Sequence, residues 1–241
     1  MGLMLCYGCG HEADDAPVPL LPVYTVDQHL VADFRYGGHT YELASAYTDA
    51  AGTAFKLDTL RFLLSGVHAV DDDGEVLADY GSAYLLVDAA NTNNDFILGD
   101  LTSDHLHEIR FNIGLVPAMN HTPPADAPPP MSSGAMYSGN TSTGYCLLEM
   151  AGRVDSNGDG TIDNTDQAFS FHCMGDALLS TSLAPVHANL PEGGVLIAWL
   201  PVDMERLLAD LDFLNTPSSA GDGPINTQLM DQLVEAMEQG H

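Results

Sequence analysis

The chain has 241 residues, and its 34 acidic residues against 6 basic ones give a net charge of −28. Such a surface repels phosphate backbones and anionic lipid, which argues against nucleic-acid binding, and it suits cation binding in a salty or calcium-containing medium. Hydrophobic residues make up 45% of the chain, which allows a sizeable core. The sequence contains no run of 18 apolar residues, so no transmembrane helix is predicted.

The N-terminal residues 1–27 are interpreted as an export-signal remnant or a flexible acidic and proline-rich segment, followed by one domain over 28–241. An apolar start precedes Cys6 and Cys9. Cys9 is a candidate lipid-attachment point, and the Cys-x-x-Cys pair is alternatively a redox or metal pair. The segment predicts a periplasmic, cell-surface or secreted protein.

Short segments with strand-like patterns, separated by turn signals, follow one another along the chain. They cover residues 28–43, 57–70, 84–88, 107–113, 144–151, 168–174 and 194–202. Apolar stripes with helical spacing over 202–211 and 227–238 predict two helices near the C-terminus. The fold class is therefore predicted to be mainly β: an antiparallel β-sandwich with short C-terminal helices. A long loop at 120–143 interrupts this plan, and loops of that length are usually functional or disordered.

Residues 155–166 match the twelve-residue calcium loop, in which positions 1, 3, 5, 7 and 12 supply oxygen ligands. The predicted ligands are Asp155, Asn157, Asp159, Thr161 (through its carbonyl) and Asp166. Glycine at position 6 allows the sharp bend around the ion. The sequence thus predicts a structural calcium ion, and the alternative is an acidic turn that binds nothing.

Two further cysteines, Cys146 and Cys173, lie on the predicted strands that flank this loop. If those strands form an antiparallel pair closed by the loop, the register places the two residues opposite each other. A disulfide between them suits an oxidising compartment. Two buried free thiols are the alternative.

Several segments together resemble a known family. Leu60–Val67 resembles a "LRFYISNV" strand, Ile109–His121 resembles "LRFTLGVPxxLNH", and Phe169–Gly175 resembles "FxxHLG". The elements around Pro129–Tyr145 and Ala198–Leu211 fit the same pattern. In this respect the chain is similar to the MbnP-like family of periplasmic or surface copper-binding proteins, related to those of methane-oxidising bacteria.

The resemblance implies a β-sandwich that holds one copper ion through histidines, here His121 and His172, which match the family motifs. His39 and Met119 are additional candidate ligands, because imidazoles bind copper in both oxidation states and a thioether favours Cu(I). A di-haem peroxidase is the implied partner for some members. The family's Trp-x-Trp element is absent, since the only tryptophan is Trp199, which argues against a kynurenine ligand and weakens the case for that partner.

His105 and His107 lie two residues apart on one predicted strand face and form a candidate copper or zinc chelate, or simply part of the surface. No catalytic motif is present, so the chain is not expected to be an enzyme. Two functions remain: an exported copper-binding protein for copper acquisition, storage or delivery with a calcium loop, or a calcium-stabilised surface or adhesion module that has lost the copper site.

Overall fold

The computed structural model describes residues 23–49, 51–91 and 93–238; Cys6, Cys9 and most of the predicted N-terminal segment lie outside the described residues. The strands are β1 (Tyr24–Tyr36), β2 (His39–Thr40), β3 (Tyr47–Thr48), β4 (Ala54–Val70), β5 (Val76–Tyr80), β6 (Leu85–Asp88), β7 (Asp95–Ser103), β8 (His105–Ile113), β9 (Cys146–Val154), β10 (Gln167–Met174), β11 (Ser180–Asn189), β12 (Val195–Asp203) and β13 (Ser218–Gly221). The helices are α1 (Pro117–Asn120), α2 (Met204–Leu207) and α3 (Pro224–Glu238).

Two sheets build the sandwich. The larger runs in the order β11–β8–β4–β9–β10–β13, with β3, β5 and β6 also paired to β4, and the smaller joins β12, β1, β2 and β7. The prediction of a mainly β sandwich with short C-terminal helices is confirmed. Most pairs are antiparallel, but β1 with β12 and β10 with β13 are parallel, so the sheets are mixed rather than purely antiparallel.

The alternating patterns that predict strands have a direct structural cause. Along β1, every second residue from Val26 to Phe34 is buried between the sheets while the residues between them are more exposed. The 17-residue β4 is the spine of the larger sheet, because its first half pairs with β9 and its second half with β8. This arrangement brings the C-terminal end of β8 and the N-terminal end of β9 close to one another.

A buried aromatic cluster and α3 complete the core. Phe213, which follows the short helix α2, stacks on Phe169 with ring centroids 4.1 Å apart and lies 5.1 Å from Phe55. Helix α3 buries Leu229, Leu233 and five further residues against β10, β11 and β12. The described residues contain no helix that is both long and apolar enough to cross a membrane.

The predicted helix over 202–211 is mostly wrong. Pairing with β1 continues β12 as far as Asp203, whose carboxylate then caps α2 by accepting from the backbone N–H of Glu205 at 3.0 Å. The helix ends after Leu207, and Asp210 has a left-handed backbone with φ +60°. The predicted helix over 227–238 is present and begins earlier, at Pro224.

The predicted pairing of Cys146 with Cys173 is wrong in this structure. The regular register of the β9–β10 pair places Cys173 opposite Leu148, and a shift just after Cys173 places Met174 opposite Cys146. Both cysteines are buried free thiols. Burial raises the pKa of Cys173 to about 12 and that of Cys146 further, and the Cys146 thiol lies 2.9 Å from the carbonyl oxygen of Leu148. The predicted register is therefore wrong, and the two cysteines are not joined in this structure.

The long loop after α1 is ordered by its own side chains. Met131 and Met136 are buried at 3% and 5% exposure, and Tyr145 at its end is fully buried. Tyr137 packs against Tyr145 with ring centroids 5.2 Å apart. Two short 3-10 turns, at Pro124–Asp126 and Met131–Ser133, shape the remainder. The loop is thus a packed lobe that begins at His121 and returns to β9.

Candidate metal centres

His121 lies at the point where β8, α1 and the long loop meet. After β8 the chain turns at Gly114, whose φ of +106° suits glycine, and Pro117 begins the single-turn helix α1. His121 ends that helix, and its backbone N–H donates to the carbonyl of Pro117 at 3.1 Å. The imidazole is 40% exposed, so it is accessible to a ligand from solvent.

Both ring nitrogens of His121 have partners. Nδ1 lies 2.6 Å from the carbonyl oxygen of Thr141, and because a carbonyl only accepts, Nδ1 carries a proton. Nε2 lies 3.0 Å from a carboxylate oxygen of Asp176. The hydrogen bonds to Asp176 and then to Thr141 raise the pKa of His121 above its ordinary value. The ring is therefore fixed by Nδ1, and Nε2 is the nitrogen that can exchange its proton for a metal ion.

Asn120 is the support for this arrangement. It is fully buried, its amide nitrogen donates to Asp176 at 2.7 Å, and its amide oxygen accepts from the backbone N–H of Tyr145 at 2.8 Å. The hydrogen bonds from Asn120 and His121 lower the pKa of Asp176. Gly144 is required beside it, because a Cβ there would lie 2.4 Å from the carbonyl oxygen of Asn120. Sequence reasoning missed Asn120 and Asp176, although the Asn-His motif contained the signal for the first.

His172 lies on the outer face of β10, directly opposite Glu149 of β9. Its Nε2 is 3.7 Å from a carboxylate oxygen of Glu149, which also pairs with Arg61 of β4. The imidazole is 40% exposed. Asp176 follows four residues later in the chain, so His172 lies near the C-terminal end of β10 and the carboxylate partner of His121 lies just beyond that end.

The other two predicted copper ligands, Met119 and His39, lie in different parts of the fold. Met119 is partly buried and packs against the core, while His39 lies in the smaller sheet, paired with Tyr36. Among the described residues, His39, His121 and His172 do not form a set with ligand atoms all within 4.8 Å of one another. His121 and His172 each face a separate carboxylate. Copper coordination by these residues stays a prediction.

The predicted calcium loop connects β9 to β10 and is wound around its first and last carboxylates. Asp155 and Asp166 are buried at 8% and 5% exposure. Asp155 accepts from the backbone N–H groups of Gly158 at 2.7 Å and Gly160 at 2.9 Å. Asp166 accepts from two backbone N–H groups, and the one from Asp163 is the largest contribution that lowers its pKa. The loop is held in a closed form by its own backbone.

The other predicted calcium ligands lie between those two carboxylates. The side-chain oxygen of Asn157 accepts from the backbone N–H of Asp159, and the carboxylate of Asp159 accepts from that of Thr161, each at 2.8 Å. The carboxylates of Asp155, Asp159 and Asp166 do not all lie within 4.8 Å of one another, so the loop would tighten around an ion. Calcium binding also stays a prediction.

The fold and these exposed histidine–carboxylate pairs define a β-sandwich protein with side chains suited to holding metal ions at its surface. The profile of the MbnP family matches residues 26–224, and the chain belongs to that family. The solved structure of MbnP from Methylosinus trichosporium shares the fold, with a TM-score of 0.51 and 14% identity over 85% of this chain and 83% of that chain. No curated protein matches.

Proposed function

We propose that this chain is an exported copper-binding protein in which His121 and His172 are the copper ligands and residues 155–166 hold a structural calcium ion. Its role is the acquisition, storage or delivery of copper rather than catalysis of a reaction. The MbnP family match supports a copper-associated role, and the choice of ligands rests on the geometry around His121.

The observation that carries the proposal is the hydrogen bond from Nδ1 of His121 to the Thr141 carbonyl, at 2.6 Å. Metal-bound histidines usually donate their second ring N–H to a carbonyl or carboxylate, which fixes the tautomer and aims the other nitrogen. Here the packed loop supplies that carbonyl. His121 is therefore already oriented to offer Nε2, and copper would replace the proton that Nε2 shares with Asp176.

His172 fits the same role from β10. It is half-exposed, and among the described residues its one carboxylate contact is the 3.7 Å approach to Glu149, which already pairs with Arg61. The ring of His172 is thus free to turn toward a metal without leaving Glu149 unpaired. The backbone at His172 is fixed separately, because its carbonyl accepts from the buried side chain of Asn226 at 3.1 Å.

The predicted calcium loop supports this proposal because of where it lies in the fold. It joins β9 to β10, the two strands that carry Glu149 and His172. An ion bound by Asp155 and Asp166 would hold the ends of those strands together, because these residues follow and precede them directly. We expect calcium to stabilise the sandwich without acting as a switch.

The direct test is a competition titration with a chromophoric Cu(I) chelator, on the full chain and on His121→Ala and His172→Ala variants. A matched control is His68→Gln, a half-exposed histidine on β4 that faces Asp79. We expect each ligand variant to lose at least about tenfold in copper affinity, since each removes one of two imidazoles. Equal affinity in all four proteins would reject the proposed ligands.

One observation favours a second candidate, the calcium-stabilised surface module without copper. His121 and His172 each lie beside a carboxylate in the structure, so neither depends on a metal ion for a charged partner. Under that alternative the histidine–carboxylate pairs are structural. The copper titration separates the two functions, because the second predicts no stoichiometric copper in the unaltered protein and an unchanged response to calcium.

A further inference from the structure

A second set of ligands lies at the N-terminal end of β8, the strand whose C-terminal end leads to α1 and His121. His105 and His107 face outward on that strand, and Asp72 belongs to the turn between β4 and β5. His187 comes from β11 on the other side of β8. One ligand atom from each of these four residues can be chosen so that all four lie within 4.8 Å of one another. Three imidazoles and a carboxylate thus converge from three separate chain segments.

The distances suit one small cation. Nδ1 of His107 is 2.7 Å and Nε2 of His105 is 3.6 Å from the carboxylate oxygens of Asp72. In a tetrahedral zinc site with bonds of about 2.05 Å, ligand atoms are separated by about 3.3 Å. The observed separations bracket that value, and the side chains of His105 and His107 remain 25% and 29% exposed. An ion from solvent can therefore reach the set.

The backbone at His187 is built to place its side chain there. Two residues of β11, Val186 and His187, bulge out of the pairing with β8 between Pro185 and Ala188. His187 has a left-handed φ of +46°, which is uncommon for a residue other than glycine. Bulges often re-aim a side chain, and this one stacks the His187 ring edge-on against His107, with centroids 4.2 Å apart.

A polar residue beyond the ligands fixes the tautomer of His105. Nδ1 of His105 lies 3.1 Å from the side-chain oxygen of Asn189, the last residue of β11. An amide oxygen only accepts, so Nδ1 donates and Nε2, the nitrogen facing Asp72, is left for a metal. This is the supporting hydrogen bond that metal-binding histidines usually have.

We propose that Asp72, His105, His107 and His187 form a second metal site, which binds a divalent transition-metal ion that accepts nitrogen and oxygen ligands, with Zn²⁺ as its type. Three imidazoles and one carboxylate suit Zn²⁺, while the absence of sulfur from the set disfavours Cu(I). The bound ion would tie the β4–β5 turn and β11 to β8. This second site shares no residue with the proposed copper ligands His121 and His172.

The test is isothermal titration of the metal-free full chain with Zn²⁺, repeated with Co²⁺ to record the visible absorption of a tetrahedral site. The variants are His107→Ala, Asn189→Ala and the matched control His121→Ala/His172→Ala. We expect one tight Zn²⁺ site per chain in the unaltered protein and in the control, lost in His107→Ala. Asn189→Ala should weaken Zn²⁺ binding by about 10- to 100-fold, as for other supporting residues.

Circular dichroism of each variant checks that the sandwich still forms. If His107→Ala fails to fold, His105→Gln replaces it, because that side chain is partly exposed and glutamine keeps a polar group there. Zn²⁺ binding that persists in the folded histidine variant, or that is lost in the His121→Ala/His172→Ala control, would overturn the assignment. The absence of any stoichiometric Zn²⁺ site in the unaltered chain would overturn it as well.

Discussion

Replacing Asn120 by alanine removes the residue that joins α1, the long loop and Asp176. The side chain is fully buried and makes two hydrogen bonds, one to the backbone N–H of Tyr145 at 2.8 Å and one to Asp176 at 2.7 Å. In the variant, the N–H of Tyr145 is left without its acceptor inside the protein. Such an unpaired buried donor costs about 1–3 kcal/mol.

Loss of the hydrogen bond from Asn120 to Asp176 adds a smaller cost in stability. That carboxylate is 38% exposed, so water can replace the lost donor, and the contribution is about 1 kcal/mol. The expected loss in the free energy of unfolding for Asn120→Ala is therefore about 2–4 kcal/mol, a factor of roughly 30 to 900 in the unfolding equilibrium. Because Asn120 also holds Tyr145 at the end of the loop that supplies the Thr141 carbonyl to His121, we also expect copper affinity to fall by about 10- to 100-fold.

Urea denaturation followed by circular dichroism measures the loss, and Asn140→Ala is the matched control. Asn140 belongs to the same loop, but it is exposed and caps only a local turn through Ser142. Its replacement should cost less than about 1 kcal/mol. If Asn120→Ala lost no more stability than Asn140→Ala, the account of how the loop positions His121 would be wrong.

Three further predictions concern other parts of the sandwich. Calcium at a hundred times its dissociation constant should stabilise the protein by about 2.7 kcal/mol in thermal melts, and the shift should vanish in Asp155→Ala but persist in the exposed-loop control Glu192→Gln. Burial lowers the pKa of His29, but hydrogen bonds to carboxylates, chiefly Asp95, outweigh it and raise that pKa. The stabilisation from the His29 ion pairs is therefore complete below pH 6.5 and is lost as the pH rises through the raised pKa. In urea titrations, the difference in unfolding free energy between the native chain and His29→Gln should shrink with increasing pH. A difference that stays constant with pH would refute this. Gly152→Ala should lower the free energy of unfolding by about 3 kcal/mol in the same assay, because the new Cβ would lie 2.1 Å from a backbone carbonyl oxygen of β4. A loss below about 1 kcal/mol would show that the strands can move apart there.

The sequence patterns predicted the buried strands well, because alternation reflects one face turned to the core. They missed β3, β5, β7, β11 and β13, which are short or lack clear alternation. Strand β11 even contains Pro185, which is tolerated because that strand pairs on one side with β8. They also extended a helix over residues that parallel pairing with β1 holds in β12. Tertiary pairing overrode local helix preference there.

The candidate sites, like the strands, could be predicted only in part from local sequence. The Asn-His motif located His121, yet its carboxylate partner Asp176 lies 55 residues away and depends on how β10 ends. The His-x-His pair on β8 was visible, but His187 joins it only through a bulge in β11. The register of the β9–β10 pair likewise places Cys173 opposite Leu148 rather than Cys146. Bulges and registers of this kind depend on how whole strands pair, which local sequence does not encode.

The most direct test of the central claim is the copper content per chain after loading and desalting, measured by mass spectrometry in a His105→Ala/His107→Ala background. That background removes the proposed second site, so any remaining copper reports on His121 and His172. We expect about one copper per chain, and none once His121 and His172 are also replaced by alanine. Copper that is unchanged by the loss of these two histidines, or calcium without copper in both proteins, would contradict it.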